Sequence, residues 1–436
     1  MTDVLTAFFF LALVIFSGFF AQAFFRRTGI SDFLLLMAIG LLLGPVLHFF
    51  DNATVIFLRG IAPFFASLAL IFMLFEGGMG LNFRQVLREI GRATLFTFLV
   101  FIFTLFSVAG ILSAFGWPLL VSLLVGAVLG GTSAEIIIPM LKGLRASKET
   151  KTMIFLESTI NDAFCLVSAI AILEIMVSRS LDVQGIFQGI LAAFAVAAFL
   201  GAYAGIFWLK ILRDHRETVK PYQYLLTISV LFVLYFLAEY AKGNGAIAVL
   251  VFGLVLGNSR EITAALGMKE TVIDANIRLF QSEIAFFVKT FFFVYLGIII
   301  DPGEFTPLLI ALGISIVAFL VLARVAATEV VSRFNRELQA DKTVIVSLMA
   351  RGLATAVLAT YVVSAGVDLG EFGGTIIRLT FIAIILTNIA TMAGVFYLNL
   401  RQKSGIAPQG DIKNGLVSEV LVGPGQTAKE MQLEPL

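Results

Sequence analysis

Cysteine is almost absent. Cys165 is the single thiol of the chain, which excludes an intrachain disulfide and any cysteine-built metal cluster. Histidine occurs twice, at His48 and His215, too sparsely for a histidine-rich metal site. Charge is scarce as well: 14% of the 436 residues are Asp, Glu, Lys or Arg, against about 25% in an average soluble domain. No basic block offers a surface to nucleic acid, and a formal net charge of +1 points to no charged partner. The glycine-rich strings lack the strand context and the Gly-Lys-Ser/Thr ending of a phosphate loop, and no histidine-supported nucleophile marks a hydrolase. What fills the chain is apolar: 59% of residues are hydrophobic and 44 are Phe. Uncharged stretches of roughly 18 or more residues recur, each matching a hydrocarbon core about 30 Å thick. The chain therefore reads as a polytopic, all-α membrane protein.

Apolar runs between charged breaks give thirteen spans: Val4–Phe25, Phe33–Phe50, Ile61–Leu81, Thr94–Phe115, Leu119–Leu141, Met153–Val177, Ile186–Leu209, Tyr224–Tyr240, Ala246–Leu256, Ile284–Ile300, Pro307–Val331, Val344–Ala365 and Thr375–Leu398. Ala21-Gln22-Ala23 resembles a signal-peptidase site, but Asp3 and the lack of Lys or Arg before it make the first span a retained helix. The basic residues select thirteen over twelve or fourteen. With the N-terminus outside and the C-terminus in the cytoplasm, the outer loops hold only Arg59, Arg179 and Lys242, as the positive-inside rule requires.

The second span ends Gly40-Leu41-Leu42-Leu43-Gly44 and the ninth ends Gly253-Leu254-Val255-Leu256-Gly257. Each is followed by a Phe-rich span closing on glycine, at Phe75-Glu76-Gly77 and at Tyr295-Leu296-Gly297, and the topology sets the two segments in opposite directions. Two inverted six-helix repeats, about 4–177 and 224–398, joined by a linker helix at about 186–209, make a secondary-transporter architecture. The membrane domain fills 1–403, and 404–436 is a short polar cytoplasmic tail.

A charge at the bilayer centre costs about 2.5–3.5 kcal/mol, so each one needs a partner or a function. The sixth span carries Glu157-Ser158-Thr159-Ile160-Asn161-Asp162. Helical spacing sets Glu157 with Asn161 and Ser158 with Asp162 on adjoining faces. This is either an ion site, with Asp162 as the carboxylate and Asn161 and Ser158 as neutral oxygens, or a polar cluster that joins helices. In the fifth span Gly130-Gly131-Thr132-Ser133 precede Glu135 and Pro139. Its backbone is either unwound, presenting carbonyls and the Thr132 hydroxyl to an alkali cation, or a proline-kinked packing helix. Met349-Ala350-Arg351-Gly352 is its counterpart in the second repeat. Arg351 needs an acid, and Glu157 is the natural partner. Lys289 pairs with Glu135 or Glu283 or stands as a fixed charge near the site. Glu76 is either a carboxylate at the cavity or an interfacial acid.

Phe75-Glu76-Gly77-Gly78, Gly131-Thr132-Ser133, the run from Leu156 to Asp162 and Ala350-Arg351-Gly352-Leu353, in this order and spacing, resemble the monovalent cation/proton antiporter superfamily. The likeness spans Met1 to about Lys403 and is nearest to the prokaryotic sodium/proton exchangers with an Asn-Asp motif. It implies a core domain of broken, crossing helices that moves against a dimerisation domain, hence a homodimer in the inner membrane of a prokaryote. It further implies a role in pH homeostasis and no cofactor beyond the transported ions. Asp162 would bind Na+, Li+ or H+ with Asn161 beside it, and Thr132 would offer oxygen at the crossover. Glu157 and Arg351 would form a buried ion pair, with Glu76 at the cytoplasmic funnel and Ser133, Glu135 and Lys289 around the site. Many members have Thr-Asp-Pro where this chain has Thr132-Ser133-Ala134, and Asn-Asp occurs here together with Lys289, which leaves the stoichiometry open. The expected function is non-enzymatic: exchange of a monovalent cation, Na+ or alternatively K+, for H+ at Asp162 by alternating access. A cation channel or an ion sensor using the same groups is the competing reading.

Overall fold

The computed structural model describes residues 2–28, 30–80, 83–178, 183–214, 222–267, 275–333 and 336–403. The polar tail 404–436, His215 and Arg179 lie outside the described residues. An apolar run must satisfy its backbone N–H and C=O groups within the chain, and the helix does so locally. The described residues accordingly fold into helices, with no strand among them. In chain order these are α1 (Thr2–Thr28), α2 (Asp32–Leu41, continued by a π-helical turn Leu42–Val46), α3 (Asn52–Gly80), α4 (Phe83–Ala114), α5 (Leu119–Val128), α6 (Ala134–Lys142), α7 (Lys148–Ser178), α8 (Val183–Asp214) and α9 (Gln223–Tyr240). They continue as α10 (Gly245–Gly257), α11 (Ser259–Ala265), α12 (Ala275–Ile299), α13 (Pro307–Ser332), α14 (Arg336–Ala340), α15 (Lys342–Ser347), α16 (Leu353–Ser364) and α17 (Phe372–Lys403).

Each apolar span read from the sequence falls on one of these helices or on a consecutive pair. Seven of the described helices are long and apolar enough to cross a bilayer unaided. Their outward faces carry large exposed apolar side chains such as Phe8, Phe20, Phe199 and Phe236, the pattern of a lipid-facing surface. Two pairs are interrupted: residues 129–133 separate α5 from α6, and residues 348–352 separate α15 from α16.

The helices pack as two groups. In one, α1, α2 and α3 pack with α12, α3 also packs on α10, and α8 and α9 pack on α10. In the other, α4, α5 and α7 pack together, α13 lies on α4, and α17 holds α13, α15 and α16. The main contact between the groups is α3 against α16.

Within the first group, the glycines echoed in the sequence permit backbone contact. A Cβ on Gly40 would stand 2.1 Å from the Val294 carbonyl oxygen, and one on Gly253 2.5 Å from that of Phe75. Gly44 and Gly257 repeat this against the Ile298 and Met79 oxygens at 2.7 and 2.4 Å. Gly297 approaches the Met37 oxygen at 2.4 Å as Gly78 approaches that of Leu250 at 2.3 Å. So α2 meets α12 through the same three contacts by which α10 meets α3. Because backbone cannot yield as a side-chain tip can, Gly40→Ala is expected to cost about 1–3 kcal/mol by overpacking. Its Tm in detergent should fall, while that of Gly60→Ala, whose Cβ would meet nothing within 4 Å, should not.

Candidate functional site

The two helix breaks lie against each other. The Ser133 N–H donates to the Ala350 carbonyl at 2.8 Å. A Cβ on Gly352 would stand 2.5 Å from both Ser133 Oγ and the Phe33 ring, so only glycine allows this approach. Unwound backbone inside an apolar bundle needs partners from neighbouring helices. Three polar residues of α17 provide them. Thr391 Oγ1 accepts from the Met349 N–H at 3.2 Å, Thr387 Oγ1 accepts from the Arg351 N–H at 3.3 Å, and Asn388 Nδ2 donates to the Arg351 carbonyl at 2.7 Å.

From the crossing a chain of polar side chains runs into α7 and α13. Arg324 donates through Nη1 and Nη2 to the two Glu157 oxygens at 2.7 and 2.9 Å. Thr132 Oγ1 donates to Glu157 Oε1 at 3.2 Å and accepts from Asn161 Nδ2 at 2.7 Å. All four residues are buried. This arrangement turns the Asn161 amide so that its oxygen has no partner, and Asp162 Oδ1 is likewise buried without one. The two oxygens flank Gly131: a Cβ there would stand 3.1 Å from Asp162 Oδ1 and 3.9 Å from Asn161 Oδ1. Buried acceptors left unpaired cost free energy until a donor or cation reaches them. Oxygen donors of this kind suit a hard cation or a proton. Asp162 also lines a narrow void of about 10 Å³, closed on one side by Leu70, Met73 and Leu74 of α3.

A larger cavity of about 590 Å³ opens where α1, α2, α3 and α12 face α6. Asp32, Glu76, Glu135 and Lys289 line it, with Arg26 and Gln22 at its edge. Lys289 settles between two acids, with Nζ 3.1 Å from Glu135 Oε2 and 3.4 Å from Asp32 Oδ2, over the face of the Phe33 ring. Of the partners expected for Lys289, Glu135 is the one in contact; Glu283 is exposed on α12. The Lys289–Glu135 pair joins one helix group to the other.

The expected Glu157–Arg351 ion pair does not form. Arg324 occupies both Glu157 oxygens, and Arg351 instead donates Nε to the Leu129 carbonyl at 2.7 Å and Nη1 to that of Met349 at 3.2 Å. The Leu129 carbonyl caps α5, where the helix dipole is negative, and that of Met349 lies in the second break, so backbone carbonyls hold the guanidinium. Ser158 is buried, but its hydroxyl donates to the Phe155 carbonyl of its own helix at 3.1 Å. Asp162, Asn161 and Thr132 are brought together. Ser133 contributes its N–H to the crossing, and Glu76 and Glu135 share the larger cavity.

Sequence reasoning left Arg324, Asp32 and the α17 trio Thr387, Asn388 and Thr391 without roles. A signal existed for each. Arg324 sits in the middle of a 26-residue apolar helix. Asp32 opens α2 directly beyond a basic turn, and Thr387, Asn388 and Thr391 form a polar stripe at helical spacing in a span otherwise rich in aliphatic residues.

Known proteins are similar to this chain in sequence and in fold. A sequence model of the family described as "Sodium/hydrogen exchanger, transmembrane" matches residues 11–398. Low-affinity Na(+)/H(+) antiporter NhaS1 of Synechocystis sp. is 28% identical over 274 residues, covering 62% of this chain and 49% of that protein. K(+)/H(+) antiporter NhaP2 of Shewanella sp. is 28% identical over 242 residues, covering 53% of this chain and 40% of that protein. The chain thus spans about half or less of the length of these relatives. The structure of the sodium proton antiporter MjNhaP1 from Methanocaldococcus jannaschii at pH 8 superposes with a TM-score of 0.73 at 21% identity, over 92% of this chain and 99% of that one. The crossed helix breaks, the buried acid beside them and the family match over nearly the whole membrane region lead to one conclusion: the chain belongs to the sodium/hydrogen exchanger family of the monovalent cation/proton antiporter superfamily.

Proposed function

We propose that this protein is a secondary active transporter that exchanges a monovalent cation, Na+ or Li+, for H+ at Asp162, with no cofactor beyond the transported ions. The observation that carries the reading is the pair of buried, unpartnered oxygens of Asp162 and Asn161 beside the helix crossing. One carboxylate that holds either a proton or a cation makes the two compete, and a site that moves only when occupied converts that competition into exchange. The placement of the groups supports such movement. Asp162, Asn161 and Thr132 belong to one helix group, while Leu70, Met73 and Leu74 of α3 close the void from the other. The acid-lined cavity lies beside Arg26, on the side of the basic loops, and serves as the cytoplasmic approach in an inward-open state.

The architecture belonging to this reading is thirteen crossings, N-terminus outside and C-terminus in the cytoplasm, with α8 linking two inverted repeats. The matched glycine contacts of α2 with α12 and α10 with α3 support the repeat relation. In this reading the protein works as a homodimer in a prokaryotic inner membrane and contributes to pH homeostasis. The test is reconstitution into proteoliposomes with an imposed pH gradient and an internal pH dye. Sodium or lithium is expected to collapse the gradient and choline is not. Potassium acting alone would favour the second reading, K+/H+ exchange, which the likeness to NhaP2 supports. No response to any alkali cation would overturn the antiporter reading.

A further inference from the structure

Thr355, in the first turn of α16, is 3% exposed, yet its hydroxyl has no hydrogen-bond partner among the described residues. Thr290 and Thr380 are also buried without a hydroxyl partner, but of the three only Thr355 lines the void beside Asp162. Thr360, Thr387 and Thr328 each return their hydroxyl proton to the carbonyl four residues earlier, at 3.0, 2.6 and 2.7 Å. For Thr355 that carbonyl belongs to Arg351, where the helix has not yet begun and Asn388 Nδ2 already donates at 2.7 Å. A helical threonine denied its own backbone seeks another partner. Thr355 lines the narrow void of about 10 Å³ that Asp162, Gly131 and Cys165 also line. The rest of that wall is aliphatic, from Leu70 and Leu74 on α3 to Leu166 and Leu358. A void of this size admits about one water-sized body, hence a cation that has shed its water. Such a cation needs several oxygens to replace its hydration shell.

We infer that the Thr355 hydroxyl is a ligand of the transported cation, contributed by the second broken helix to the Asp162 site and setting its selectivity. This rests on the proposed exchange at Asp162. It adds an oxygen to the void that carboxylate lines, in a chain that has Ser133 between Thr132 and Ala134 and so places no acid there. Because a hydroxyl carries no charge and does not titrate here, its loss weakens the cation without removing the proton site. Cation affinity and the order among Li+, Na+, K+ and Rb+ then change, while turnover at saturating cation persists.

The test measures cation-dependent thermal stabilisation of purified protein in detergent, with choline as control, and exchange in proteoliposomes, for wild type, T355V, T355S and D162N. T355V, which keeps the shape and loses the oxygen, should bind the preferred cation about tenfold more weakly. It should raise KM by a similar factor and alter the cation order, whereas T355S should restore all three. Wild-type affinity and cation order in T355V, or failure of T355S to rescue, would overturn the ligand role. If those results accompany loss of cation stabilisation in D162N, the Asp162 site stands without Thr355. Undiminished stabilisation in D162N would instead overturn the Asp162 reading and this inference with it.

Discussion

Asp162→Asn is expected to reduce proton-coupled cation flux to the background of empty liposomes for every alkali cation, with the fold intact. The amide matches the carboxylate in shape, so packing against Gly131 and the narrow void is preserved. It cannot bind and release a proton in the working pH range, and it offers a cation a dipole where a full charge stood. The fold should tolerate the change because Asp162 is outside the hydrogen-bonded chain from Asn161 through Thr132 and Glu157 to Arg324. Its buried oxygen has no partner to lose. Removing a buried, uncompensated charge should raise the melting temperature in choline if it changes it at all. The measurements are the dye response to a cation pulse and the melting curve of the same preparation. A variant that melts like wild type and still exchanges sodium for protons would show that transport does not need this carboxylate.

The parts legible from sequence are those in which a rare residue type interrupts an apolar run. Asp162, Asn161 and Thr132 stand out because polar groups inside such runs need a reason, and Gly130-Gly131 marks the helix break because paired glycines weaken a helix where they stand, ahead of Pro139. The matched helix contacts were legible from Gly40, Gly44, Gly253 and Gly257, since close backbone approach demands glycine and leaves its spacing behind. The partner of Glu157 was illegible for a physical reason. Charge balance read from side chains assigns every buried cation an acid, but Arg351 is compensated by the terminal carbonyls of α5 and by Met349, which any residue type could supply. Asp32 was hidden by its place next to a basic turn, where an acid reads as interfacial; only the fold carries it to Lys289. Thr355 was hidden because a threonine in a helix ordinarily bonds its own backbone, and the carbonyl four residues before it belongs to Arg351, ahead of the first residue of α16.

The Glu157–Arg324 pair carries the second large effect. Arg324→Leu is expected to cost about 3–5 kcal/mol, because Glu157, with no exposed surface, keeps its charge and loses both guanidinium hydrogen bonds. Glu157→Leu should cost a similar amount by stranding Arg324, which would retain its Nε bond to the Ile345 carbonyl at 2.7 Å and its place over the Phe96 ring. The double Leu variant should cost much less than the two changes summed, since the desolvated charges vanish together and two apolar side chains replace them. Arg351 supplies the control. Its bonds run to the backbone at Leu129 and Met349, so Arg351→Leu should combine with Glu157→Leu more nearly additively. Unfolding of the single and double variants in one detergent reads both coupling energies. Stronger coupling of Glu157 to Arg351 than to Arg324 would return the pair to the position its charges alone suggested. The expected order makes α13 the brace of α7, holding Glu157 so that Thr132 fixes the Asn161 amide with its oxygen unpartnered near Gly131, as that of Asp162 is.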